Sequence, residues 1–288
     1  MPPTEPLRRG WAILWKSWDM RLVPPVTRPA RVLRRAAEAL THRAVVRRSM
    51  PPPFGTQKIY VSTEGGLRYG GPLGRVDPTL LNAASQLVHP GMRVWDIGAN
   101  LGLFAVAAGA RVGRSGSVVA VEPDPWLARI LQRTTALNGT GVRVIQAAVA
   151  SSPGPREFVI ANRSRSTNYL LGYGTTQTGG VRSTLSVATT TLDLLADECG
   201  LPDLIKIDVE GAEAEVLAGA AHVLASRPTL IIEVADENAD VIGDTLRTFG
   251  YVFTDLDTNE PVQRPTPNTL ARVAEPERNE TPDLGAVP

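Results

Sequence analysis

The sequence lacks the features that would place the protein outside the cytoplasm. It contains one cysteine, Cys199, so no disulfide can form within the chain, which fits a reducing compartment. No run approaches the roughly 18 consecutive apolar residues of a membrane-spanning helix. The first residues, MPPTEPLRRG, lead into no long apolar segment, so a secretory signal is not expected. These absences predict a cytoplasmic protein.

Aromatic residues and lysines are also scarce. Aromatic residues make up 5% of the chain, which leaves few side chains to stack against nucleic-acid bases. Lysine occurs only at Lys16, Lys58 and Lys206, whereas arginine supplies most of the positive charge. Because lysine and arginine are not interchangeable at a tight site, Lys206 is a candidate functional residue.

The charge is unevenly distributed along the chain. Residues 1–60 hold twelve basic and three acidic side chains, a net charge of +9, and since the whole chain carries +1, the remainder carries −8. The pattern predicts a basic helical arm over residues 1–55, a globular domain over 56–275 and a disordered, proline-rich tail over 276–288. A second basic helix of the arm is predicted from Arg31 to Arg47.

The first helix of the arm has an apolar face. Its residues recur at helical spacing and are Trp11, Leu14, Trp15, Trp18 and Leu22. Such a face could pack on the protein's own domain, or residues 1–50 could make a peripheral contact with an anionic membrane. The sequence leaves both readings open.

Beyond the arm, short apolar strands alternate with helices. MRVWDIG, SVVAVEP, VRVIQAAVA, LIKIDVEG, TLIIEVAD and YVFTDLD are typical of strands, and REFVIAN with STLSVATT predicts a hairpin. Apolar strands separated by helices predict an α/β fold with a mostly parallel sheet covered on both faces.

The segment VWDIGANLGLF, residues 94–104, is a glycine loop that follows a predicted strand. It matches neither the G-x-x-x-x-G-K-[ST] phosphate loop nor the G-x-G-x-x-G dinucleotide fingerprint. Asp96, immediately before the loop, would repel a pyrophosphate but suits a ligand with an ammonium and a sulfonium. S-adenosylmethionine is such a ligand.

Further acidic residues end the other core strands. Glu122 follows Gly98 by 24 residues, close to where dinucleotide folds place the acid that binds a ribose. A carboxylate can accept hydrogen bonds from both ribose hydroxyls. Asp208 and Glu233 end two later strands, and the carboxyl ends of parallel strands meet at one edge of the sheet.

In this order and spacing, DIGANLG, VVAVEPDP, TTLDLL, LIKIDVEGAEAEVLAGA and TLIIEV resemble the FkbM-type S-adenosylmethionine-dependent methyltransferases over residues 77–275. The resemblance implies a doubly wound, Rossmann-like class I sheet of seven strands, the last antiparallel. It also implies O-methylation of a sugar, glycolipid or polyketide-type natural product. By position, the cofactor loop is Asp96, Gly98, Ala99, Asn100 and Gly102, and Glu122 is the ribose ligand. Many relatives have a histidine soon after the fifth-strand glutamate, but this chain reads EVADENAD.

Methyl transfer to a hydroxyl requires loss of a proton, because an aliphatic alcohol does not ionise unaided at neutral pH. Asp208 is the predicted base, and alternation along an extended strand would place Lys206, Asp208 and Glu210 on the same side. Asp208, Glu210 and Glu233 could instead supply oxygen ligands to Mg²⁺, although their spacing does not require a metal and none is expected.

Two other classes of function compete with this reading. The basic arm favours a nucleic-acid methyltransferase, whereas the acidic body and the few aromatic residues argue against nucleic acid as a partner. A protein-interaction module that kept the fold but lost its chemistry is the other alternative. The intact Asp96, Glu122 and Asp208 argue against that module. The acceptor and the oligomeric state are not given by the sequence.

Overall fold

The computed structural model describes residues 44–139, 141–174 and 178–274. The strands of this part of the chain are β1 (Val46–Ser49), β2 (Lys58–Val61), β3 (Arg93–Ile97), β4 (Ser117–Val121), β5 (Val142–Ile145), β6 (Ala148–Val149), β7 (Gly154–Ala161), β8 (Tyr169–Leu170), β9 (Val181–Thr190), β10 (Leu204–Ile207), β11 (Thr229–Glu233), β12 (Tyr251–Asp255), β13 (Glu260–Val262) and β14 (Asn268–Val273). Its α-helices are α1 (Pro78–Leu87), α2 (Leu103–Val112), α3 (Pro125–Asn138), α4 (Leu192–Cys199), α5 (Glu213–Ala218), α6 (Ala221–Ala225) and α7 (Ala239–Thr248).

The central sheet has the predicted doubly wound arrangement, with one strand more than expected. Its order is β13-β12-β14-β11-β10-β3-β4-β5. The pairs β11–β10, β10–β3, β3–β4 and β4–β5 are parallel, and β14 inserts antiparallel between β11 and β12. These strands are the seven that the family resemblance implies. The eighth, β13, forms a short hairpin with β12 at the edge, where the turn residue Asn259 has a φ of 59°.

Helices cover both faces of this sheet because its strands are apolar on both sides. On β3, Val94 packs into the core beneath α1, α2 and α3, whereas Trp95 and Ile97 pack into the core beneath α4 to α7. Burying side chains of this size stabilises the fold by about 1.5–3 kcal/mol each. A polar residue in such a strand must therefore have a specific partner, and Asp96 is fully buried between Trp95 and Ile97.

A second sheet lies in the stretch between β5 and α4. Its order is β6-β9-β7-β8, and β7 pairs antiparallel with β9 along most of their length. The predicted hairpin is therefore present. The segment that links its two strands, residues 162–180, is described except for residues 175–177.

The described chain begins with another hairpin, in which β1 pairs antiparallel with β2. The helix predicted from Arg31 to Arg47 is wrong at its end, because Val46 and Arg47 are already in β1. The tryptophan-bearing helix and the predicted disordered tail lie outside the described residues. All of the described residues belong to one compact unit, and the boundary expected at residue 55 falls within the hairpin of β1 and β2. Within the described ranges, no helix has the length and apolar character needed to cross a membrane.

Candidate active site

The glycine loop after β3 needs glycine at two positions. Gly98 has a φ of 77°, and a Cβ there would collide with the carbonyl oxygen of Asp208. Gly102 has a φ of 88°, and a Cβ there would collide with the Leu131 side chain of α3. Both conformations are in the left-handed region that favours glycine. The loop is further fixed by the backbone N–H groups of Gly98 and Ala99, which donate to the carbonyl of Val121 at 3.0 Å.

Asp96 lies behind this loop. Its Oδ2 accepts a hydrogen bond from the backbone N–H of Ala105, in the first turn of α2, at 3.0 Å. Its Oδ1 is 3.4 Å from Lys206 Nζ. Burial raises the pKa of Asp96, while Lys206 opposes that rise. The carboxylate therefore stabilises the start of α2 and holds Lys206 beneath the loop.

Glu122 follows β4 directly and connects two turns. Its Oε2 accepts from the backbone N–H of Asn100 at 2.7 Å, and its Oε1 accepts from the N–H of Asp124 at 2.8 Å. Only 5% of the residue is exposed. Burial raises the pKa of Glu122 to about 8, although these two hydrogen bonds act in the opposite direction. Each carboxylate oxygen can accept two hydrogen bonds, so Glu122 keeps capacity for a ligand.

A cleft of about 590 Å³ lies above the loop, and we call it the cofactor cleft. Gly98, Asn100 and Glu122 form one side. The apolar side chains that line it are Ile97, Val121, Leu127, Ala147, Ala148, Val149, Phe158, Leu170, Val209 and Ala212. Apolar walls suit an adenine ring, and a buried carboxylate with spare acceptor capacity suits ribose hydroxyls. The residues present therefore fit S-adenosylmethionine.

Lys206 joins the cofactor loop to the next strand of the sheet. Its Nζ donates to the carbonyl of Gly98 at 2.9 Å and lies 3.0 Å from Asp208 Oδ2. Burial lowers the pKa of Lys206, but Asp208 and Asp96 outweigh that effect and raise it above the ordinary value. Lys206 is therefore a fixed cation that orients Asp208.

The predicted side-by-side placement holds for Lys206 and Asp208 but does not extend regularly to Glu210. Strand β10 ends at Ile207, and Glu210 has a φ of 55°, so the chain has left the extended conformation. Gly211 follows with a φ of 97°. Glu213, at the start of α5, closes this turn, because its Oε1 accepts from the N–H groups of Val209 and Gly211 at 3.3 and 3.0 Å.

A second cleft, of about 1130 Å³, adjoins the first, and we call it the acidic cleft. Asp208 and Glu210 line both clefts. Burial, Asp208 and Glu213 raise the pKa of Glu210 to about 8. Glu233, at the end of β11, reaches solvent through the acidic cleft, and Asp208, partial burial and Glu210 raise its pKa to about 9. Across the ranges that the structure describes, no group of three or more His, Cys, Asp or Glu side chains has the arrangement of a metal site.

Arg165 also lines the cofactor cleft, and the sequence analysis identified neither this residue nor its pairing with Glu64 and Asp124. Arg165, in the segment between β7 and β8, pairs with Glu64 at 3.1 Å and with Asp124 at 2.5 Å. Its guanidinium also lies 5.1 Å from the ring of Trp126. Asp124 had a signal, because an Asp before Pro125 is typical of a helix cap, and it does accept from the Trp126 N–H. Glu64 and Arg165 are 101 residues apart, and no local pattern links them.

Comparison with known proteins gives one family and several distant relatives. A family model described as "Methyltransferase FkbM domain" matches residues 96–253, more than half of the chain. A ribosomal protein L11 methyltransferase of Pelotomaculum thermopropionicum is 32% identical over 36% of this chain and 34% of its own length. A hexuronic acid methyltransferase of Haloferax volcanii is 28% identical over 49% of this chain and 55% of its own. The chain thus spans about a third and about half of these curated relatives.

The similar solved structures are more distant in sequence. Fibrillarin of Aeropyrum pernix, solved with natively bound S-adenosyl-L-methionine, has 13% identity and a TM-score of 0.43, over 80% of this chain and 88% of that one. A SAM-dependent methyltransferase from Aquifex aeolicus has 14% identity and a TM-score of 0.39, over 68% and 92% of the two chains.

Proposed function

Because the chain belongs to the FkbM methyltransferase family, we propose that it is an O-methyltransferase acting on a hydroxyl of a sugar, glycolipid or polyketide-type natural product. A methyltransferase domain of this family uses S-adenosylmethionine as its methyl donor. One observation carries the proposal: Asp208 lines both clefts and is held by Lys206, which also holds the Gly98 carbonyl of the cofactor loop.

The residues of the cofactor cleft divide the task of holding the donor. Glu122 would accept hydrogen bonds from the ribose hydroxyls, since each of its oxygens has used one acceptor position on a backbone N–H. Gly98, Ala99, Asn100 and Gly102 would form the floor beneath it. When bound, S-adenosylmethionine supplies a methyl group activated by its positively charged sulfur.

Asp208 is the proposed base. Its Oδ2 is bound to Lys206, which leaves Oδ1 to accept the hydroxyl proton of an acceptor in the acidic cleft. Lys206 and Asp96 hold the carboxylate in place, and Asp96 acts through Lys206. Glu210 also lines both clefts, but its pKa of about 8 keeps it mostly protonated at neutral pH, which leaves the role of base to Asp208.

The charge of the acidic cleft argues against a nucleic-acid acceptor. Its described lining residues include six carboxyl groups and no lysine or arginine, so none of them would neutralise the phosphates of a polynucleotide. The ribosomal protein L11 methyltransferase in the comparison leaves a protein acceptor as the second candidate.

We also propose that residues 1–50 bring the protein to a membrane surface at which a glycolipid acceptor is held. The support is the sequence alone, with its tryptophan-bearing helix and net positive charge. At low salt, the full chain should co-sediment with vesicles of anionic lipid, and its tryptophan emission should shift to the blue. Deletion of residues 1–30 should abolish both effects. Equal sedimentation of the deleted chain would contradict the proposal and favour docking on the domain.

The methyl-transfer proposal is tested by incubating the full chain with methyl-labelled S-adenosylmethionine and extracts of lipids and glycosides. We expect a labelled product whose label resists mild base, as an ether does and an ester does not. Calorimetry with S-adenosylhomocysteine runs in parallel. If the protein does not bind S-adenosylhomocysteine, the proposal is wrong, and the reading as an interaction module gains support.

A further inference from the structure

The described walls of the acidic cleft hold many carboxyl groups and few basic partners. Its described lining residues include no lysine or arginine, and their six carboxylates are Asp208, Glu210, Glu213, Glu233, Asp236 and Glu237. Asp208 shares the positive charge of Lys206 with Asp96, and Asp236 pairs with Arg264 at 2.5 Å. Within the described ranges, the other four carboxyl groups have no such close ion pair.

One of these four, Glu213, is buried and lines the cleft. Glu213 is 2% exposed, and its Oε1 holds the turn before α5. Its Oε2 is also buried and has no hydrogen-bond partner among the described residues. A buried carboxylate oxygen without a donor is unfavourable, so this atom indicates a ligand that brings a donor or a positive charge.

Protons bound to some of these carboxyl groups reduce the repulsion among them. The carboxyl groups that face one another are Asp208, Glu210, Glu213 and Glu233, with Lys206 opposing the repulsion from below and Arg163 acting on Glu210. Repulsion and burial raise the pKa of Glu210 to about 8 and that of Glu233 to about 9. A cation that enters the cleft would displace such protons, because it favours the ionised carboxylates.

We propose that the acidic cleft binds an ammonium group of the acceptor, so that the substrate is an amine-bearing small molecule such as an amino sugar. The inference rests on the proposed function, since it assigns a chemical class to the acceptor of the same site. The ammonium lies among Glu213, Glu233 and Glu237, and the hydroxyl to be methylated reaches Asp208, where the two clefts meet. An acceptor with a carboxylate at that position is repelled.

An ammonium fits this cleft better than a divalent metal. A metal needs several oxygen ligands at fixed short distances, and the carboxylates in the described part of the chain do not form such a group. An ammonium has three donors on a compact charge and tolerates varied geometry. Glu213 Oε2 requires only one such donor.

The test uses three sugars that differ only at C6: methyl 6-amino-6-deoxyglucoside, methyl glucoside and methyl glucuronide. Calorimetry on the full chain saturated with S-adenosylhomocysteine gives their affinities at low salt. We expect the amino sugar to bind at least about tenfold more tightly than the glucoside, with the glucuronide weakest, and salt to reduce the difference. Repeating the titration in buffers of different ionisation enthalpy should reveal proton release with the amino sugar.

A pair of matched variants tests whether the preference for the amino sugar arises in the acidic cleft. Glu237→Gln removes one charge from the acidic cleft, and we expect it to reduce the preference for the amino sugar about threefold while S-adenosylhomocysteine binding is unchanged. Glu260→Gln makes the same change at an exposed residue outside the cleft and should leave the preference unchanged. An equal effect of both variants would mean that general surface charge causes the preference.

The outcomes separate this inference from the proposed function. The inference is overturned if the three sugars bind equally, if the glucuronide binds most tightly, or if the amino sugar does not bind. The methyltransferase proposal still stands in these cases, provided that the protein binds S-adenosylhomocysteine. A preference for the glucuronide that arises only with added Mg²⁺ would overturn it in favour of a metal-bridged acceptor. Failure to bind S-adenosylhomocysteine would overturn the proposed function itself.

Discussion

The two clefts meet at Asp208 but differ in how their buried carboxyl groups are stabilised. In the cofactor cleft the buried Glu122 has a backbone N–H on each oxygen, and apolar walls surround it. In the acidic cleft six carboxylates share the walls, and one buried oxygen of Glu213 has no partner among the described residues. The first cleft is preorganised for a ligand that is the same in every turnover. The second would have its unpaired carboxyl groups satisfied only by a ligand, so its excess of carboxyl groups supports the proposal of a positively charged acceptor.

The largest expected effect comes from the residue that the clefts share. Asp208→Asn keeps the shape but removes the base, so turnover should fall by about 10²–10⁴-fold while affinity for S-adenosylhomocysteine stays nearly intact. Steady-state kinetics and calorimetry measure the two quantities, with the exposed Asp197→Asn as the control. Unchanged turnover with lost binding would make Asp208 a cofactor ligand. Activity that follows added Mg²⁺ and disappears with a chelator would favour the metal mechanism.

The next effect is on stability and comes from Lys206, the lysine that contacts both Asp96 and Asp208. Lys206→Met leaves Asp96, which is fully buried, without its cationic partner. Breaking a buried pair from one side costs about 3–5 kcal/mol, so the free energy of unfolding should fall by that amount in urea titrations. Lys58→Met removes an exposed lysine and serves as the control. A loss below about 0.5 kcal/mol, the range of surface substitutions, would show that Asp96 needs no counter-charge.

A smaller effect is confined to the cofactor cleft. Glu122→Ala removes the proposed ribose ligand, and above pH 8, where Glu122 is ionised, S-adenosylhomocysteine binding should weaken by about 1.5–3 kcal/mol, the range for hydrogen bonds to a charged group. Glu157→Ala changes an exposed glutamate of β7 and should leave the affinity unaltered. If Glu122→Ala binds as tightly as the unmodified protein, Glu122 does not contact the ligand and serves only the turns that it connects.

The smallest effect is a pH dependence that compares the clefts directly. Glu122 and Glu233 have pKa values of about 8 and about 9 in the folded protein, above their ordinary value of 4.5. The folded state therefore keeps protons that the unfolded chain has lost, and their contribution, complete below 4.5, declines as pH rises through the raised values. Urea unfolding at about pH 5, 7 and 9 should show falling stability across this window.

Single substitutions show which cleft causes the fall of the free energy of unfolding with pH. Glu233→Gln should reduce the slope from pH 4.5 up to about 9, whereas Glu122→Gln should reduce it only up to about pH 8, because each removes one of the titrating groups. A free energy of unfolding that rises with pH between these values would contradict the raised pKa values of both residues.

The sequence predicted the cofactor side of the molecule better than the acceptor side, for a physical reason. The family, the Rossmann-like fold and the strand ends with Asp96, Glu122 and Asp208 followed from short motifs, and the family match and the sheet order confirm the first two. A strand followed by a glycine loop is a local pattern, because its steric requirements lie within a few residues. The scarcity of lysine also indicated Lys206, although it did not reveal that Lys206 contacts Gly98.

Contacts between distant segments were not predictable in this way. The Glu64–Arg165 pair joins segments 101 residues apart, and neither residue has a neighbour in sequence that indicates the other. The helix expected through Arg47 failed because pairing with β2 decides the conformation there. The excess of carboxyl groups in the acidic cleft also depends on tertiary structure, since Glu213 follows β10, whereas Glu233 and Glu237 lie at the end of β11 and just after it.

The absence of a side chain at Gly98 has a consequence for anyone who redesigns this protein. The loop and the Asp208 carbonyl are in contact there, so the donor floor and the proposed base behave as one rigid module that tolerates no insertion or resizing. If the acidic cleft holds the acceptor as proposed, acceptor range belongs to a different module, the rim at residues 235–237, which is exposed or only partly buried. Libraries for new acceptors should therefore diversify the rim and leave residues 96–102 and 206–208 untouched.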